Sequence, residues 1–283
     1  MPKKTPRVSV LTPIYNTNPA HLREMIDSIL SQTFTDFEFL ILNDSPDNTE
    51  IEKIVLGYAK RDKRVRYAKN EKNMGITPSR NKLLSMARGE YVAIFDHDDI
   101  SVPTRLAQQV AYLDAHPSVG VVSGWLQYFG RDNSVWKTPE SDTDIRIMLC
   151  DSCYVAHTAA MIRKSILTNN NIKYEEAFSP AEDYMLWVRL MDVTHFYNIP
   201  DVLVKYRWTG NNTSGVFSDK TNNARHAVQL VIRDKHPGTF DAFKHANPNT
   251  VFRLRMFGIP LIKIKNNKIY LFEMIPLCKI IWR

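Results

Sequence analysis

The chain has 283 residues, 44% hydrophobic and 24% charged, with a net charge of +7, the make-up of one large globular domain or of one domain with a small appendage. No apolar run reaches the roughly 18 residues of a spanning helix, and three cysteines (Cys150, Cys153 and Cys278) fit a reducing compartment better than a disulfide framework. From Arg253 to Arg283 seven Lys or Arg stand against one acid, Glu273, so about +1 is left for the body, which argues against a nucleic-acid binder with charge spread over a docking face.

The N-terminal "MPKKTPR" leads straight into an apolar run and does not read as a secretory signal, so a protein made and kept in the cytosol is expected. In chain order, "RVSVLTPIY" (7–15) reads as a strand. Asn18 and Pro19 start a helix in which Leu22, Met25, Ile26, Ile29 and Leu30 recur at helical spacing. "FEFLILND" (37–44) has the nearly continuous apolarity of a strand buried on both faces. A helix follows over 49–60, then a shorter strand at 64–70, a helix from Pro78 to Ala87, a strand at 90–96, a helix from Pro103 to Ala115 and a strand at 119–129. Alternating strands and helices with short connections predict a mostly parallel sheet covered on both faces. Beyond residue 135 the alternation loosens. A strand is expected at 155–162, a helix at 180–192, a strand at 202–208 and a mobile loop in "TGNNTSG".

In parallel sheets ligands bind beyond the carboxyl ends of the strands. The polar residues there are Thr12 to Asn16, Asn43 to Ser45, and Asp96 to Asp99. The last group, "DHDD", crowds three carboxylates at one strand end. One Asp suffices for a cap or turn, whereas three repel unless a cation offsets them. Oxygen ligands favour a hard divalent ion such as Mg²⁺ or Mn²⁺. Asp96 and Asp98 could share it, or Asp98 and Asp99 could do so instead.

With these residues in view, the chain resembles the bacterial family 2 glycosyltransferases of the GT-A fold, of the surface-polysaccharide and lipopolysaccharide type. The resemblance runs from about residue 7 to about 210 and rests on five motifs in the family's order: "TPIYN" (12–16), "NDSPDNT" (43–49), "NMGITPSRN" (73–81), "DHDD" (96–99) and "AEDYMLWVRL" (181–190). It implies an α/β GT-A, Rossmann-like catalytic domain over 1–215, with a nucleotide-binding half (1–100) and an acceptor half (101–215). Residues 216–283 are then a helical, basic, amphipathic extension.

The resemblance further implies a UDP-sugar donor. Thr12, Tyr15 and Asp44 would hold the uridine, with Pro13 and His97 inside the same nucleotide-binding motifs. Arg80 would help bind the nucleotide, Asp96 would contact ribose or sugar, and Asp98, with Asp96, would ligate Mn²⁺ or Mg²⁺. Asp183 would be the general base of an inverting displacement, with Glu182 positioning the acceptor or supporting the base. The plainer alternatives are packing for Tyr15, a turn cap for Asp44, a surface ion pair for Arg80, and a helix start for "EDYMLW". Many relatives carry a histidine two residues after the arginine of a "YR" pair, which can assist metal binding. Here Thr209 stands in that place. His157 reads as a core or pocket-wall residue, and Cys150-x-x-Cys153 with His157 offers only three local ligands where zinc needs four.

The tail repeats a pattern, "RMFGIPLIKIK" (255–265) and "YLFEMIPLCKI" (270–280), apolar segments rimmed with positive charge. They either pack on the body or attach to an anionic inner membrane surface. The acceptor implied is a lipid-linked oligosaccharide of lipopolysaccharide, lipooligosaccharide or capsule synthesis, with no nucleic-acid partner. A sugar nucleotidyltransferase would show a glycine-rich phosphate loop near the first strand, but the first glycine here is Gly57. A non-catalytic nucleotide-sugar-binding scaffold would not need Asp96, Asp98 and Asp183 intact.

Overall fold

The computed structural model describes residues 5–209 and 219–247, together with the backbone of 252–256, 259–265 and 268–271. The N-terminal half alternates as expected: β1 (Val8–Ile14), α1 (Pro19–Leu30), β2 (Phe37–Asn43), α2 (Thr49–Arg61), β3 (Val65–Lys69), α3 (Ile76–Met86) and β4 (Tyr91–Ile94). Then come β5 (Ile100–Ser101), α4 (Arg105–Ala115), β6 (Val119–Gly130), β7 (Val135–Trp136), α5 (Asp142–Leu149), β8 (Met161–Arg163) and α6 (Lys164–Asn169). The chain continues through α7 (Glu182–Met191), β9 (His195–Trp208), α8 (Asp219–Lys235) and α9 (Pro237–Ala246). Three short strands, β10 (Phe252–Met256), β11 (Ile259–Lys265) and β12 (Lys268–Leu271), form a separate antiparallel sheet. Within the extension expected over 216–283, α8 and α9 are helical and the described backbone of 252–256, 259–265 and 268–271 is extended, while the "TGNNTSG" loop lies almost wholly outside the described residues.

The main sheet runs β3-β2-β1-β4-β8-β6-β9-β5, with β7 on β6. Strands β3, β2, β1 and β4 are mutually parallel, and so are β6 and β9. Strand β8 is antiparallel to both β4 and β6 and joins the two halves. Along β2, Phe37, Phe39 and Ile41 enter one core with α1, α2 and α4, while Leu40 and Leu42 enter a second with α3, α5 and α7. That two-sided burial is why the strand reads as a continuous apolar run.

Local signals account for the element ends. Asn18 caps α1 by accepting from the N–H groups of Ala20 and His21, and Asn48 caps α2 through Ile51 N–H. Helix α3 starts at Ile76, two residues before Pro78, since a proline in the first turn lacks only an N–H that has no helical partner. The stretch 155–162, read as one strand, instead turns through a 3₁₀ segment (His157–Ala159) before β8. Ser123 and Gln109 donate to the carbonyls of Ala156 and Ala159, which a neighbouring strand would otherwise have engaged. Strand β9 begins earlier than the sequence suggests because Pro200 masks its continuity.

Gly89 shows how tightly the base of the sheet is packed. A Cβ there would lie 2.5 Å from Ser9 N and 2.7 Å from Val8 C, both backbone atoms. Gly89→Ala is therefore expected to destabilise the fold by about 1–3 kcal/mol. A melting temperature equal to that of the parent would contradict this packing.

Candidate active site

Three parallel strands end on one rim. Leu11 pairs with Leu40 and with Ile94, so β1, β2 and β4 finish side by side. Thr12 and Pro13 are the buried last turn of β1, and Thr12 Oγ1 is enclosed with no hydrogen-bond partner among the described residues. Tyr15, just past the strand, is 50% exposed and is not packed into the core.

Asp44 follows β2 and is buried. Its Oδ1 accepts from Asn70 Nδ2 (2.6 Å) and Met74 N (2.8 Å), and its Oδ2 accepts from Gly75 N (2.8 Å). The turn-cap alternative is therefore realised: Asp44 folds the bend that launches α3, and Gly75 takes a positive φ of 86° there. One Oδ2 lone pair stays free of these bonds.

Arg80, on α3, is not a surface group. Its Nη1 donates to Glu182 Oε1 at 2.6 Å, its Nη2 lies 3.6 Å from Asp96 Oδ1, and its guanidinium sits 5.6 Å from the centre of the Tyr174 ring. Burial opposes its charge, but Asp96, Tyr174, Glu182 and Asp183 together hold its pKa above the ordinary value. Arg80 thus joins the end of β4 to the start of α7, which the sequence places 102 residues away.

The "DHDD" turn divides its acids. Asp99 is fully buried, and its oxygens accept from Arg207 N (2.9 Å) and Thr158 Oγ1 (2.8 Å). Burial and then the charges of Asp96 and Asp98 push its carboxyl well above the usual range. Beneath it lies Arg105, also fully buried, which donates to Ile94 O at 2.7 Å and is pushed down to about 9 by burial. Arg207 braces the turn from outside, donating through Nε to Asp98 O at 2.8 Å. Asp96 and Asp98 are half-buried, and among the described residues neither side-chain oxygen of Asp98 takes a hydrogen bond. Burial, and then Asp98, raises the Asp96 carboxyl, with Arg80 opposing. His97 is half-buried with Nδ1 enclosed and unpartnered among the described residues.

Asp183 and Glu182 open α7, where acids suit the helix dipole. Glu182 is buried on Arg80, and its Oε2 has no partner among the described residues. Asp183 Oδ1 accepts from Tyr184 N at 2.7 Å. Burial first, and Glu182 second, raise the Asp183 carboxyl to about 6, against the pull of Arg80. A carboxylate titrating there is suited to general-base work near neutral pH.

Several of these groups are invisible to sequence reasoning. Tyr174 lies in a loop with no motif, and Arg105 looks like any charged residue on a surface helix. His157 is a buried residue, its Nε2 2.9 Å from Tyr174 Oη, and burial holds it well below its ordinary pKa. The Cys150 and Cys153 thiols donate to separate carbonyls, of Arg146 and Val155. A shallow cleft lined by Leu11, Pro13, Arg80, Leu83, Ile94 and Tyr174 lies at the rim, while a larger depression of about 330 Å³ sits at the far end of β4 around Glu90 and Lys164. The perturbed carboxylates converge at the rim and not at the larger depression.

Known proteins share this sequence pattern and this fold. Residues 9–170 match the model of glycosyl transferase family 2. An uncharacterised glycosyltransferase of Methanocaldococcus jannaschii is 34% identical over 207 residues, 71% of each chain. S. aureus TarS, solved in complex with UDP-GlcNAc, shares the fold with a TM-score of 0.64 at 22% identity, over 81% of this chain and 67% of that one. A mannosyltransferase from Pyrobaculum calidifontis, solved with GDP-Man and Mn²⁺, does so with a TM-score of 0.57 at 18% identity, over 87% of this chain and 76% of that one. By the match over residues 9–170 and the 34% identity to the archaeal relative, the chain belongs to glycosyl transferase family 2.

Proposed function

We propose that this glycosyltransferase moves a hexose or N-acetylhexosamine from a UDP-sugar to a lipid-linked oligosaccharide, with inversion, in lipopolysaccharide, lipooligosaccharide or capsule synthesis. The observation that carries the reading is the Asp183 carboxyl, raised to about 6 and linked through Glu182 and Arg80 to Asp96. Donors of this chemistry are bound by the neighbours solved with UDP-GlcNAc and GDP-Man.

In the proposed reaction the acceptor hydroxyl loses its proton to Asp183 Oδ2, while Tyr184 N–H holds Oδ1 in place. The hydroxyl oxygen forms a bond to the anomeric carbon from the face opposite the nucleotide. The bond from that carbon to the diphosphate oxygen breaks, and its electron pair leaves with UDP. Arg80 helps hold the anionic donor, and Tyr15 and the remaining Asp44 lone pair face the nucleobase.

The donor set fits a hard divalent ion. Asp96 and Asp98 offer oxygen ligands from one turn, while both oxygens of Asp99 are engaged internally. Among the described residues no group of three or more His, Cys, Asp or Glu is placed to hold a metal, and two carboxylates completed by phosphate oxygens is the usual arrangement for a phosphate-bound ion. Bound there, Mn²⁺ or Mg²⁺ would supply Lewis-acid stabilisation of the departing diphosphate.

No helix among the described residues is long and apolar enough to cross a membrane. In this reading the enzyme works in the cytoplasm and meets its acceptor at the anionic inner membrane surface through the basic tail. That part of the proposal rests on charge. A screen of nucleotide sugars with Mn²⁺ and with Mg²⁺ tests the reading. Acceptor is presented in neutral and in anionic vesicles, and released UDP is measured. Activity on no UDP-sugar with either ion sinks it, and equal rates on both vesicle types remove the membrane part.

The base assignment sets a pH dependence. Asp183 must be ionised to accept a proton, so kcat is expected to rise with pH through a midpoint of about 6 and then level off. A profile that falls over this range would exclude Asp183 as the base.

A further inference from the structure

We propose that Tyr174 is a positioning residue that seats Arg80 between the donor rim and the base. This inference rests on the reaction proposed above. Tyr174 is 3% exposed and belongs to no helix or strand, yet it is fixed by three hydrogen bonds to two side chains. Its Oη meets His157 Nε2 at 2.9 Å, and the His157 ring in turn lies against Trp187, four residues along α7 from Asp183. Its backbone is clasped by one side chain: Asn81 Nδ2 donates to Tyr174 O (2.9 Å), and Tyr174 N donates to Asn81 Oδ1 (3.0 Å). Asn81 is the residue next to Arg80, so the clasp ties the loop to the same turn of α3 that carries the guanidinium.

The object of this bracing is the Arg80 head group. Its centre lies 5.6 Å from that of the Tyr174 ring, within cation–π range. Arg80 Nε is enclosed without a hydrogen-bond partner among the described residues, so the side chain is held by its terminal nitrogens and by the ring. Without the ring, a long flexible side chain would regain its rotamer freedom. The 2.6 Å bond to Glu182 and the 3.6 Å approach to Asp96 could then no longer be held together. Tyr174 thereby keeps the two halves of the site in register, although it touches no reacting atom. The aromatic ring supplies this action and the hydroxyl is secondary.

The test is a double-mutant cycle on the full chain, reading kcat/KM for the UDP-sugar identified by the screen. Tyr174→Leu is expected to lower kcat/KM about tenfold or more in the parent, and by less than about threefold in an Arg80→Met background, because coupled residues are non-additive. Tyr174→Phe keeps the ring and is expected to stay within about threefold of the parent. Equal losses from Tyr174→Leu in both backgrounds would mean that the tyrosine acts through general packing, and the inference falls. It also falls if Tyr174→Phe is as impaired as Tyr174→Leu. Should the leucine variant not fold, Asn81→Ala replaces it in the cycle with the same expectation. An Asp183→Asn control separates the two levels: if it is inactive while the cycle is additive, only the role of Tyr174 is lost, and if it is fully active, the reaction itself is misassigned.

Discussion

Asp183→Asn is expected to lower kcat by about 10²–10⁴-fold, the usual contribution of a positioned general base. The amide is nearly isosteric, and its oxygen can keep the bond from Tyr184 N–H, so geometry is preserved while the proton acceptor is lost. Donor affinity is expected to change little, because in the proposed reaction Asp183 meets the acceptor and not the nucleotide. The fold is expected to gain stability at neutral pH, and the sign follows from the raised carboxyl. Asp183 titrates near 6 in the folded chain against about 3.9 when unfolded. Its ionised form therefore opposes folding above about 6, and this penalty vanishes below about 4. The asparagine removes it, so the rise in melting temperature should be larger at pH 8 than at pH 4. Product formation at the parent rate would exclude Asp183 as the base, whatever the melting curve shows.

The second large effect concerns the acids of the turn. Asp98→Ala is expected to weaken binding of the nucleotide sugar by about 10–100-fold in the presence of Mn²⁺ or Mg²⁺, the scale on which losses around a metal site are felt. Chelator treatment of the parent should have a comparable effect. Asp99→Asn should behave differently, since that carboxyl serves Thr158 and Arg207 and sits above the buried Arg105. Its signature is donor affinity nearly kept, with and without the divalent ion. Calorimetric titration of the three proteins, with and without chelator, decides the matter. Unchanged affinity in Asp98→Ala and after chelation would leave no role for a divalent ion at this rim.

How much of this was legible in the sequence depended on whether a residue's duty was local. Strands β1 and β2 announced themselves because both their faces are buried, so every position is constrained to be apolar or internally paired. Their carboxyl ends and that of β4, and with them Thr12, Asp44 and Asp96, followed from the alternation of strands and helices. The choice between Asp98 and Asp99 was not legible. It turns on Thr158 and Arg207, which lie 59 and 108 residues further on. Glu38 in the middle of an apolar run had no local explanation either. It is buried on Ser9, Arg66 and Arg88, three partners from three other segments, and against the pull of burial these bonds hold its carboxyl below the usual range. Tyr174 left no trace because a loop residue that braces another side chain follows no period.

In the proposed complex Asp44 carries a double duty, and that limits how this enzyme can be retuned. In the proposed complex its free lone pair reads the nucleobase, while its other contacts tie Met74 and Gly75 into the bend ahead of α3. Replacing it to admit a different base would also loosen the mount of Arg80, so selectivity and turnover would be lost in one step. A change of donor nucleotide has to begin at a side chain without structural obligations. Tyr15, half open to solvent, is such a starting point for an engineer or for evolution.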